Sequence, residues 1–79
     1  MKKLITLAKE LDFSTEEQYF DYCIDSHING NFIQCEDLFE PMKVEDKERL
    51  IKYIMDTVTP VNTIEPIRSF YFKRMYNQN

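Results

Sequence analysis

The chain holds a single glycine among 79 residues, a single histidine, two cysteines and no tryptophan. Each scarcity closes off a class of function. Without a glycine-rich stretch there is no backbone cradle for phosphates, the loop on which nucleotide sites rest. With one histidine, no nucleophile elbow and no His-Glu-x-x-His helix, the parts of hydrolytic and metal-assisted catalysis are missing. Short helices are also a poor frame for a water-excluding pocket. The expectation is a non-enzymatic protein without a cofactor. Cys23 and Cys35 are too few for the disulfide framework of a small secreted domain and lack the two-residue spacing of a redox or zinc-knuckle pair, so reduced, buried thiols are expected. No run approaches the roughly 20 apolar residues of a membrane helix. The opening Met1-Lys2-Lys3-Leu4-Ile5-Thr6-Leu7-Ala8 meets Lys9 and Glu10 before a secretory apolar region develops. A cytoplasmic protein with no membrane partner follows as the expectation.

What is present is a globular composition, 43% hydrophobic and 14% aromatic, enough apolar surface to offset the entropy of ordering. The length fits one domain over residues 1–79. The net charge of −4 is segregated: three lysines and no acid before Glu10, then twelve acids against Lys43 and Lys47 up to Glu48, then a basic C-terminal part. An acidic middle repels a phosphate backbone, so direct nucleic-acid binding is disfavoured. Asp21, Asp25, Glu36, Asp37 and Glu40 form either a solvated face that keeps the protein soluble or a set of phosphate substitutes with which an inhibitor fills a nucleic-acid channel. Phe, Tyr, Met, Ile, Asn and Lys, the residues of AT-rich codons, number 35, against 8 for Gly, Ala, Arg and Pro, which points to an AT-rich bacterial or phage gene.

Apolar spacing predicts five helices and no strand, an all-α compact bundle of four to five short helices. The first covers about residues 2–11, with Leu4, Leu7, Ala8 and Leu11 inward. Ser14-Thr15-Glu16-Glu17 reads as a capping box on Ser14, with Phe13 as its staple, ahead of a helix over about 15–29. Its stripe is Tyr19, Phe20, Cys23, Ile24, His27 and Ile28, and Gly30 supplies the left-handed stop. Asn31 caps a third helix directly, with Phe32, Cys35, Leu38 and Phe39 inward and Pro41 as its terminator. A fourth helix runs from about Val44 to Thr57 on Leu50, Ile51, Ile54 and Val58. Residues 59–63 read as a linker. Thr63 caps a last helix over 64–76, Pro66 falls in its first turn, and residues 77–79 fray.

Three constellations could carry chemistry. Cys23, His27 and Cys35 meet if the second and third helices fold back on the Gly30 turn, three ligands suited to zinc with no fourth specified. The alternative is two buried thiols and a histidine at a helix end. A helix-turn-helix DNA reader would use residues 32–40 as its recognition helix, which carries three acids and no base and is repelled by the groove it must enter. At the C-terminus Arg68, Phe70, Phe72, Lys73 and Arg74 make a basic, aromatic surface if Ile64, Ile67, Tyr71 and Met75 face the core. Such a surface fits a protein partner or self-association, homodimer included; its alternative is a last helix that uses both sides as core.

The run Tyr19-Phe20-Asp21-Tyr22 through Ile28-Asn29-Gly30-Asn31, then Leu38-Phe39, Met42 and Glu45-Asp46-Lys47-Glu48-Arg49, resembles short all-helical proteins of bacteriophages and other mobile elements over about residues 19–55. Lys43 departs from the pattern, standing where a Ser, Asp or Asn cap is expected. The resemblance implies an accessory or host-takeover role through protein binding and assigns no site residue.

Overall fold

The computed structural model describes residues 2–57 and 61–76. Val58, Thr59, Pro60 and the tail 77–79, read above as stripe, linker and frayed end, lie outside the described residues. The described residues form five helices: α1 (Leu4–Glu10), α2 (Glu16–Ile28), α3 (Phe32–Phe39), α4 (Val44–Thr57) and α5 (Val61–Tyr76). No strand occurs among the described residues, and the all-α small bundle expected from apolar spacing is what forms.

Local chemistry sets the ends of these helices. Asp12 takes the left-handed conformation (φ 64°), its amide donates to the Lys9 carbonyl at 3.0 Å, and the Phe13 amide donates to Ala8 at 2.9 Å. That pair of bonds is a Schellman stop, with Asp in the place glycine usually takes. It ends α1 one residue earlier than expected and leaves Leu11, assigned above to the core, exposed. The cap of α2 also sits one residue later than expected, on Thr15 rather than Ser14. The Thr15 hydroxyl accepts from the Gln18 amide at 3.2 Å, while the Gln18 side-chain oxygen accepts from the Ser14 and Thr15 amides at 2.6 and 3.1 Å. Both frames fit the box pattern; in the later one a single amide oxygen satisfies two orphan N–H groups, and Glu16 and Glu17 stay in the first turn at the positive end of the dipole.

Gly30 (φ 76°) ends α2 by the same motif, its amide on His27 and that of Asn31 on Ser26, at 3.0 and 2.8 Å. Asn31 then caps α3 by accepting from the Gln34 amide at 3.3 Å. The Gln34 side chain does not return to the Asn31 backbone amide, which donates to Ser26 instead. Its oxygen accepts from Ser26 Oγ at 2.8 Å and its nitrogen donates to Tyr22 Oη at 2.6 Å, fastening α3 to α2.

Helix α2 touches all four others, and α4 lies along α5. The core they enclose includes Ala8, Cys23, Cys35, Phe39, Met42, Leu50, Ile54, Ile67 and Tyr71. Two tyrosine hydroxyls fasten helices through it: Tyr19 donates to the Leu38 carbonyl and Tyr71 to the Cys23 carbonyl, each at 2.6 Å. Lys47 is 1% exposed, with its ammonium 5.0 Å from the centre of the Phe39 ring. Burial pulls its pKa down, against the opposing pull of Glu40. Helix α5 starts at Val61 rather than after Thr63, so Pro66 lies inside the helix and not in its first turn. Packing of α5 on α4 outweighs the poor helix propensity of Asn62 and Thr63 and the bond that Pro66 cannot donate.

Candidate functional site: a basic aromatic groove between α5 and the α2–α3 corner

Helix geometry divides the C-terminal residues into two flanks. Ile67 and Tyr71 are buried, with Ile64 and Met75 packed partly against the core, so the remaining side chains project to either side. On one flank the exposed Phe72 ring lies 4.6 Å from that of Tyr76, with the Arg68 guanidinium 5.9 Å from Phe72 and held to Glu65 by bonds of 2.9 and 3.2 Å. On the other, Phe70 packs against the core edge, and the Arg74 guanidinium lies over it, 3.6 Å from the ring centre. Phe70 and Phe72 therefore do not share one surface, and of the five predicted residues only Phe70, Lys73 and Arg74 line a common groove.

That groove, about 430 Å³, is completed by His27, Phe32, Pro66 and Ser69. The Gly30 turn builds its second wall, swinging α3 so that Phe32 stands beside the end of α2. The His27 ring meets Phe32 and Phe70 edge-on at 5.1 and 5.2 Å, and the two phenyl rings stack at 5.6 Å. Phe32, placed in the core by its spacing, is instead 46% exposed, and Ile28 and Ile33 at the same corner are more open still. Spacing alone misses these residues because it counts Phe32 on the same stripe as Cys35 and Phe39. The signal that could find them is length: eight residues of α3 bury only Cys35, Leu38 and Phe39.

Electrostatics set the groove apart from the rest of the chain. Among the described residues its lining carries Lys73, Arg74 and His27 and no carboxylate, in a protein of net charge −4. Arg74 bonds to Glu36 of α3 at 3.0 Å through one terminal nitrogen. Desolvation, and after it the Arg74 charge, lower the pKa of His27, which favours the neutral ring.

His27 thus belongs to this aromatic cluster, and Cys23 and Cys35 stay in the core, fully buried, with the Cys35 thiol 3.9 Å from the Cys23 carbonyl. Among the described residues no three His, Cys, Asp or Glu side chains gather to hold a metal ion. Burial raises the pKa of both thiols, which keeps them protonated and poorly nucleophilic.

The acidic residues point to different neighbours. Asp21 accepts from the Tyr53 hydroxyl of α4 at 2.7 Å, a bond that pushes the Tyr53 pKa up to about 12. Glu36 is taken by Arg74, and Asp37 borders a separate hollow with Glu10, Leu11 and Tyr22. Asp25 and Glu40 are exposed on α2 and beyond the end of α3. No helix among the described residues is long and apolar enough to cross a membrane. No family model, curated protein or solved structure matches the chain.

Proposed function

We propose that this chain is a small non-enzymatic interaction module that engages a protein partner through α5, with Phe70, Lys73 and Arg74 in the groove and Arg68 and Phe72 on the opposite flank of the helix as the contacting residues. The observation that carries the reading is the lining of the groove, where stacked phenyl rings lie under a guanidinium and beside a lysine with no ion pair among the described residues. Aromatic rings and arginine are the side chains that dominate binding energy at protein interfaces. The AT-rich codon bias and the likeness to short helical phage proteins support placing it as an accessory protein of a phage or mobile element, acting in bacterial cytoplasm. Self-association through the same surface belongs to this reading. The acidic-mimic alternative finds less support, because its carboxylates turn toward separate neighbours instead of forming a phosphate-like row.

The test is capture of partners from nuclease-treated lysate of an AT-rich bacterial host at low and high salt, with the wild type beside a Phe72→Ala, Lys73→Glu variant. A protein held by the wild type at low salt and lost from the variant is the expected result. One lost at high salt and indifferent to the variant would move the function to the acidic residues, because screened ion pairs weaken with salt while an aromatic contact does not.

A further inference from the structure

Resting on the reading of α5 as the binding element, we infer that the groove of His27, Phe32, Ser69, Phe70, Lys73 and Arg74 is a receptor for an acidic peptide segment of a partner protein, anchored by one aromatic side chain between carboxylates. Four observations carry the inference. The volume of about 430 Å³ falls in the range of pockets that hold a small ligand and accommodates one ring with its flanking backbone. The floor is three rings in mutual contact, and its Phe32 is 46% exposed, leaving an aromatic face for a fourth ring.

The polar wall suits carboxylates. Arg74 lies over Phe70, 3.6 Å from the ring centre, and already grips the Glu36 carboxylate through one of its nitrogens at 3.0 Å, so the fold itself displays the contact a ligand carboxylate would make. A guanidinium has five N–H donors in a fixed fork, and one bond to Glu36 leaves further donors for a second acid. Lys73 sits one residue away, exposed and without an ion pair among the described residues, and Ser69 adds a hydroxyl. Cations with no carboxylate among the described lining residues make the groove complementary to an acidic ligand. A nucleic-acid strand carries a charge at every nucleotide and needs a continuous basic track, which the neighbouring Glu36 and the exposed Asp37 and Glu40 interrupt.

A random 12-residue peptide display library selected against the intact chain tests the inference before any natural partner is identified. Enriched peptides are expected to carry a Phe, Tyr or Trp flanked by Asp or Glu. The best of them, labelled with fluorescein, should bind at least tenfold more weakly to Lys73→Glu and to Phe32→Ala, both exposed positions whose folding is checked by circular dichroism. Enrichment of basic or purely apolar peptides, no enrichment, or enriched peptides that bind both folded variants unchanged would overturn it. So would displacement of the peptide by unlabelled oligothymidylate at similar concentration, which would assign the groove to nucleic acid, or a dimer in sedimentation that the peptide and both variants dissociate, which would assign it to a second copy. If the library fails while a lysate partner is still lost with Phe72→Ala, Lys73→Glu, the acidic ligand is wrong and the α5 interface stands. If neither gives a partner, both fall.

Discussion

Tyr19 and Tyr71 offer two substitutions that look alike and differ in cost. Each side chain is buried, and each hydroxyl donates to a backbone carbonyl at 2.6 Å. What separates them is the fate of the acceptor once the hydroxyl is removed. The carbonyl of Cys23 lies inside α2, where the helix ladder already supplies the His27 amide, and the Cys35 thiol approaches it at 3.9 Å. Tyr71→Phe therefore removes the bond to that carbonyl and the hydroxyl's weak contact with the Cys35 thiol but leaves the carbonyl bonded, a loss of about 0.5–1.5 kcal/mol. The carbonyl of Leu38 lies in the last turn of α3, where no amide reaches it: residue 41 is a proline and the Met42 amide goes to Phe39 at 3.1 Å. Tyr19→Phe strips a buried carbonyl of its partner and should cost about 1–3 kcal/mol, the desolvation penalty of an unsatisfied group. Circular dichroism melts and urea titrations measure both, at roughly 4–8 °C of Tm per kcal/mol for a domain this small. Tyr19→Phe melting above Tyr71→Phe would refute the assignment of Tyr19 as the cap of α3.

Further expectations concern backbone and charge. Asp12→Gly should raise the Tm, because the left-handed position (φ 64°) costs a non-glycine residue about 1–2 kcal/mol. Gly30→Ala should lower it by a similar amount for the mirror reason, with no clash involved, since nothing lies within 4 Å of the added methyl. Lys47→Glu should lose about 3 kcal/mol or more, because it buries a carboxylate against the Phe39 ring and beside Glu40; a melt equal to wild type would show that Lys47 is not held in the core. His27 titrates below its ordinary value of 6.5 in the folded chain, so the unfolded chain binds the proton first. Stability then falls as the pH drops through about 6.5 and stops falling once it passes the folded value. Melts at pH 5–8 should show that loss in the wild type and a flatter profile in His27→Gln; parallel profiles would contradict the placement of His27 against Phe70 and Arg74.

Helix positions are legible in the sequence because apolar spacing and capping residues act locally: Asn31, Gly30 and the acidic start of α4 name their own ends. Misplaced ends arise where two local solutions compete. Ser14 and Thr15 offer adjacent capping frames, and Asp12 can take a conformation usually given to glycine. Where α5 begins is decided by packing on α4, which the propensities of Asn62 and Thr63 do not report. The basic, aromatic character of α5 is plain from its residues. The groove is not, because it depends on the angle the Gly30 turn gives α3, which carries Phe32 out of the core and onto Phe70. Lys47 is hidden for a similar reason: a charged residue in a helical pattern reads as solvent-facing until Phe39 and Glu40 are placed beside it.

Binding on α5 and the α2–α3 corner is the central claim. Amide hydrogen exchange of the chain with and without a protein captured from lysate, read by mass spectrometry of peptic fragments, tests it most directly. New protection is predicted in fragments covering residues 27–33 and 66–74, the two walls of the groove. Protection confined to residues 16–25, the outer acidic face of α2, with none on α5, would contradict the account.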